Sequence, residues 1–210
     1  MSSSNASLRG LYVITDRSLM PGDKMLPAVS AAIHGGARLV QYRDKLSNRP
    51  SREQQARGLL QICHDYEVPL IINDDVELAA VIGADGVHLG DEDMRLDEAR
   101  VRLGPRMIIG VSCHDSLEKA VSAVHAGADY VAFGSFFSSP SKPQAVRAPL
   151  SLLESACLTV NVPICAIGGI TPENGAALVK AGAHMLAVIS GIFAQTDIAA
   201  EARRYARLFI

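Results

Sequence analysis

The sequence predicts an α/β fold, a single (β/α)8 barrel, and three observations predict it. Eight short apolar runs recur along the 210 residues, most breaking off in a burst of polar residues or glycines. Helical patterns alternate with these runs. The strand starts alternate between Gly-Ala pairs, at Gly36, Gly83, Gly127 and Gly182, and prolines, at Pro69, Pro105 and Pro163. Parallel strands buried on both faces read as continuous apolar runs, and barrels place their chemistry at the carboxyl ends of such strands. An open doubly wound sheet is the alternative, but no Gly-x-Gly-x-x-Gly follows the first run.

In order, run 11–14 leads into Thr15-Asp16, and 39–40 into Gln41-Tyr42-Arg43-Asp44-Lys45. A helix is expected over 51–67, with Ala56, Leu59, Leu60, Cys63 and Tyr66 on one face and a Ser51/Gln54 capping box. Run 70–72 ends in Asn73-Asp74-Asp75, and 87–90 in Asp91-Glu92-Asp93. Run 108–111 meets Ser112-Cys113-His114, followed by a helical stripe of Leu117, Ala120, Val121 and Val124 behind an Asp115/Glu118 cap. Run 130–133 opens into Ser138-Ser139-Pro140-Ser141-Lys142. Run 164–167 stops at Gly168-Gly169, after which Thr171-Pro172 starts a helix with proline in the first turn. Run 186–189 ends in Ser190-Gly191, and Ile198, Ala202, Tyr205 and Phe209 form the last stripe. Residues 1–9 read as a flexible tail and 10–210 as the barrel.

Composition narrows the function classes. A hydrophobic share of 49% with 20% charged residues is ordinary for a soluble globular protein. A net charge of -2 supplies no field for nucleic acid or an anionic membrane, and no apolar run approaches the ~20 residues of a spanning helix. The cysteines, Cys63, Cys113, Cys157 and Cys165, form no Cys-x-x-Cys, so a reduced, cytoplasmic protein is expected.

The run ends carry the chemistry. Carboxylates at two neighbouring strand ends, 73–75 and 91–93, repel unless a hard divalent cation lies between them. Gln41, Arg43 and Lys45 alternate at period two, which puts all three on one strand face, suited to a polyphosphate. Asp44 then points the other way, toward a helix residue. Gly168-Gly169 and Ser190-Gly191 close the strands whose loops commonly cup a phosphate in these barrels. His114 could serve as an acid or base, whereas His88 reads as a satisfied core histidine. Two anion sites and no evident base suggest a transferase that displaces diphosphate.

The chain resembles the thiamine phosphate synthase family from Tyr12 to about Ile192. The matching segments are Tyr-Val-Ile-Thr-Asp (12–16), Gln-Tyr-Arg-Asp-Lys (41–45), Ile-Asn-Asp (72–74), Gly-Ala-Asp-Gly-Val-His-Leu-Gly (83–90) with Asp93, Ile-Gly-Val-Ser (109–112), Gly-Ala-Asp-Tyr-Val (127–131), Ala-Ile-Gly-Gly-Ile (166–170) and Val-Ile-Ser (188–190). The resemblance implies a Mg2+-dependent coupling of hydroxymethylpyrimidine diphosphate with thiazole phosphate through a dissociative carbocation. It implies a diphosphate grip of Gln41, Arg43, Lys45, Asn73, Ser112 and Lys142, with Arg43, Lys45, Ser112 and Lys142 closest to catalysis. It further implies magnesium on Asp74 and Asp93, and a thiazole phosphate site at Ser139, Pro140, Ser141, Gly169, Ile189 and Ser190. The partners are these small molecules, with no nucleic acid or membrane, and such barrels are commonly homodimers. Two departures stand out: Asp91 where the family usually has glutamine, and Ser139 and Ser141 where it has threonines. A related thiazole tautomerase using His114, or a non-catalytic thiazole-phosphate-binding regulator, are the alternatives.

Overall fold

A computed structural model describes residues 8–138 and 147–210. Eight parallel strands close into one barrel in chain order, with β1 hydrogen-bonded to both β2 and β8. The strands are β1 Gly10–Ile14, β2 Ala37–Tyr42, β3 Leu70–Asn73, β4 Gly86–Leu89, β5 Ile108–His114, β6 Tyr130–Phe133, β7 Ile164–Ile167 and β8 Met185–Val188. The helices between them are α1 Met25–His34, α2 Arg49–Asp65, α3 Val76–Ile82, α4 Leu96–Leu103, α5 Leu117–His125, α6 Leu150–Thr159 and α7 Pro172–Lys180. A four-residue helix α8, Ser190–Phe193, precedes the closing helix α9, Ile198–Ala206.

Alternation along each strand divides the core into two layers. Leu11, Val13, Val40, Leu70, Ile72 and Val131 face the helices, while Tyr12, Ile14, Leu39, Ile71, Tyr130 and Met185 fill the barrel interior. Leu8, two residues before the first strand, already packs in that interior cluster. Two interior positions are glycine because the space is taken. A Cβ on Gly110 would lie 1.9 Å from Cζ of Tyr130, and one on Gly86 would lie 2.3 Å from the Ile108 carbonyl oxygen.

The helix starts differ from expectation in two places. Asn48, not Ser51, caps α2 by accepting from the Ser51 N–H, and the helix runs from Arg49. Ser116, not Asp115, caps α5. In both, the residue one short step before the first turn has the extended backbone a cap needs, and each such cap contributes about 1 kcal/mol. Thr171 and Asn174 form the reciprocal capping box at the Pro172 start. No helix among the described residues is long and apolar enough to cross a membrane, and all four cysteines are free.

Candidate active site

The polar run ends of β2 to β5 converge on one side of the mouth. Lys45 Nζ lies 3.4 Å from Asp74 Oδ2, and Asp74 also meets the carboxylate of Asp93. Burial, then this carboxylate neighbour, pushes the Asp74 pKa above the ordinary range, with Lys45 opposing. Asp74 sits at φ +64, its N–H donating 2.9 Å to the His88 carbonyl, so β4 holds its turn in place. Asp93 accepts 2.7 Å from the Gly90 N–H, fixing its side chain back toward the mouth. A cavity of about 560 Å³ opens here, lined by Lys45, Arg52, Asn73, Asp74, Asp75 and Met94 among others.

The neighbouring acids leave this cluster. Asp75 caps α3 and binds Arg52 at 2.8 Å. Asp91 turns to the rim, 2.7 Å from Lys119 and 3.4 Å from His114. That contact with Lys119 holds its pKa below the ordinary range. Of the two acidic clusters, therefore, one carboxylate from each reaches the shared position.

The period-two reading of 41–45 fails beyond the strand. β2 stops at Tyr42, so Arg43 and Lys45 lie in the following loop while Gln41 turns into the core, 2% exposed. Thr15, fully buried, clamps that loop: Oγ1 accepts from the Arg43 N–H at 2.8 Å and donates to the Arg43 carbonyl at 3.1 Å. The Arg43 guanidinium lies 3.8 Å from Asp16. Among the described residues Asp44 bonds no helix residue; its Oδ1 accepts from the N–H groups of Leu46 and Ser47, its Oδ2 from the Tyr42 hydroxyl at 3.5 Å, and so it shapes the loop itself. The Thr15-Asp16 pair was visible as a run end, but nothing in the sequence joined it to Arg43.

Inside the mouth, Asn73 is paired in register with His88 at the inner ends of β3 and β4. Ser112 bonds His88 Nε2 at 2.9 Å, not His114, whose exposed ring faces Asp91 instead. His88 is a satisfied core residue, as its place within a strand suggested, and burial draws its pKa down to about 4, leaving it neutral.

Among the described residues, the opposite side of the mouth is built largely from backbone. Gly168 and Gly169 take φ +104 and +61. Their closeness serves the chain itself: a Cβ on Gly169 would lie 2.3 Å from the Ser138 carbonyl, and one on Gly168 would lie 2.0 Å from Ser135 Oγ. Ile189 precedes α8 and packs against the interior cluster, and Ser190 opens that helix. Its first N–H groups have no intrahelical acceptor. Ser139, Pro140, Ser141 and Lys142 lie outside the described residues.

The fit of a divalent ion rests on the Asp74–Asp93 contact. Among the described residues no third His, Cys, Asp or Glu joins a metal cluster. Two touching carboxylates beside an open cavity suit Mg2+, which takes few protein ligands and fills its shell with water and phosphate oxygens.

Fold and mouth together define a (β/α)8 barrel enzyme with charged residues on one side of its opening. The sequence profile described as thiamine monophosphate synthase matches residues 11–192. The thiamine-phosphate synthase of Thioalkalivibrio sulfidiphilus is 51% identical over all of this chain and 99% of its own length. That of Nitrosococcus oceani is 50% identical over 98% of this chain and 94% of its own. A thiamine phosphate pyrophosphorylase structure from Pyrococcus furiosus superposes with a TM-score of 0.88 at 33% identity, covering 97% of this chain and 96% of that one. The chain belongs to the thiamine monophosphate synthase family, transferases of thiamine biosynthesis.

Proposed function

We propose that the chain couples hydroxymethylpyrimidine diphosphate with thiazole phosphate, releasing diphosphate and forming thiamine phosphate, in a magnesium-dependent reaction. The observation that carries this reading is the meeting of Asp74, Asp93 and Lys45 beside one cavity. Like charges held together in this way call for a bound cation, and a cation there calls for an anionic substrate. Family membership and the shared name of the relatives support the same reaction.

In this reading Asp74 and Asp93 hold Mg2+, which when bound supplies positive charge against the diphosphate. Lys45 and Arg43 add a point charge and a planar fork to the same oxygens. The bond from the pyrimidine methylene to diphosphate oxygen breaks with its electron pair leaving on oxygen, and the thiazole nitrogen closes on the cation that remains. Asn73 and Ser112 orient the pyrimidine half from the inner strand ends, with Gln41 on the floor of the mouth. Gly169, Ile189 and Ser190 receive the thiazole phosphate through backbone N–H groups. Ser139, Pro140, Ser141 and Lys142 are assigned to the loop between the two substrates on resemblance alone, Lys142 beside the leaving group.

The tautomerase reading, with His114 as base, is less well supported: the His114 ring is half exposed against Asp91, and Ser112 bonds His88 instead. Incubating the purified protein with both phosphorylated precursors and Mg2+ should yield thiamine phosphate and equimolar diphosphate. Recovery of both precursors unchanged, or isomerisation of the thiazole alone, would overturn the proposal.

A further inference from the structure

A line of hydrogen bonds crosses the barrel interior from β2 to β5. Gln41 Nε2 lies 2.6 Å from Tyr12 OH, which lies 2.9 Å from Tyr130 OH. Tyr130 OH lies 2.8 Å from His88 Nδ1, and His88 Nε2 lies 2.9 Å from Ser112 Oγ. The two phenols meet edge to face, and the His88 ring stacks on Tyr130 with centroids 5.5 Å apart. Gly110 leaves the room the Tyr130 ring occupies. Tyr12, Tyr130, Gln41 and His88 are all buried.

Buried donors and acceptors must be matched along such a line, and the matching has a direction. The Gln41 amide nitrogen can only donate, so Tyr12 oxygen accepts from it. The Tyr12 proton then goes to Tyr130 oxygen, and the Tyr130 proton to His88 Nδ1. A neutral imidazole has one donor and one acceptor nitrogen, so Nε2 carries the proton and donates to Ser112. The Ser112 hydroxyl proton is the one left over, directed to the mouth.

We propose that Tyr12, Tyr130 and His88 are positioning residues that transmit the orientation of the Gln41 amide to Ser112, so that Ser112 presents a proton to an acceptor atom of the bound ligand. The relay exists in the protein without ligand. Only its use, donation to a substrate atom in the mouth, rests on the transferase reading above.

The test therefore needs no substrate. Nitrogen-15 NMR of the labelled histidines in the unliganded protein should show His88 protonated on Nε2 alone. Protonation on Nδ1 overturns the proposal. Gln41→Glu replaces the donor at the far end with a carboxylate that only accepts, reversing every bond in the line. Its spectra, followed up to about pH 9 so that a buried carboxylate ionises, should show His88 moved to the Nδ1–H form. Retention of Nε2–H throughout overturns the relay. Ser112→Ala, a small change at the mouth end, should leave the Nε2–H form in place. A switch there would show that the direction is set from the mouth and overturn the proposal as well. Absence of thiamine phosphate in the coupling assay, with these spectra as expected, would remove the transferase reading and leave the relay standing.

Discussion

The two sides of the barrel mouth are made of different materials. From β2 to β5 the work falls to charged and polar side chains: Lys45 against Asp74, Asp74 against Asp93, and Ser112 on His88. Among the described residues from β6 to β8 it falls to glycines, with Gly168 and Gly169 wedged against Ser135 and Ser138. The first side gains strong, directional recognition and carries electrostatic strain for it. The second tolerates no added atom. In the proposed reaction the diphosphate of one substrate would meet charge on the first side, and the phosphate of the other would meet backbone on the second.

Substitutions on each side should separate the two. The largest effect is expected from Asp93→Ala on the charged side, which should slow coupling on the order of a hundredfold or more, about 3 kcal/mol of transition-state stabilisation. Turnover equal to that of the parent, at saturating Mg2+, would remove the metal from the reading. On the backbone side, Gly169→Ala places a methyl against the Ser138 carbonyl at a left-handed φ. It should destabilise the fold by about 1–3 kcal/mol, read as a lower denaturant midpoint; an unchanged midpoint would mean that the loop yields freely.

A smaller effect of opposite sign is expected from Asp93→Asn. Asp74 holds its proton more tightly in the fold than in the unfolded chain, so stability falls as pH rises above the ordinary carboxylate range. Removing the facing charge should raise Tm at neutral pH by roughly 2–4 °C, the response of a chain this size to about 1 kcal/mol. The gain should fade as pH falls through the raised range of Asp74 and be gone below 3.8, where the carboxyl group is protonated folded or unfolded. Excess Mg2+ should raise the Tm of the parent more than that of the variant. Equal Mg2+ responses would place the ion elsewhere. The smallest effect belongs to Asp91→Gln, which loses only half-exposed partners on the rim. Stability should change by less than about 0.5 kcal/mol, and a large loss of activity would give Asp91 a place in the mouth that its contacts with Lys119 and His114 do not.

The barrel was legible because its signals are local. Each apolar run, each Gly-Ala pair and the Thr171-Pro172 start is contained in a few residues. The charged side of the mouth was legible to the same extent: Asp74 and Asp93 end neighbouring strands, and neighbours in a parallel barrel bring their ends together. What failed was the end of β2, since period two continues past Tyr42 on paper while Thr15 bends the chain away. The fate of Asp91 also depended on a partner, Lys119, three elements further on. The interior relay was illegible for a similar reason. Tyr12 and Tyr130 look like ordinary members of apolar runs, and only closure of the barrel sets their hydroxyls against each other across 118 residues of chain.

Gly110 carries a consequence for how this molecule can change. The hydrogen atom at its α-carbon and the Tyr130 ring divide a single space, with 1.9 Å between any methyl placed there and the phenol carbon. Gly110 cannot be enlarged while the Tyr130 ring stays as it is, so a larger residue at 110 becomes acceptable only after the ring at 130 has gone. An evolutionary path that abandons the aromatic thus opens the glycine, and a path that fills the glycine first is closed.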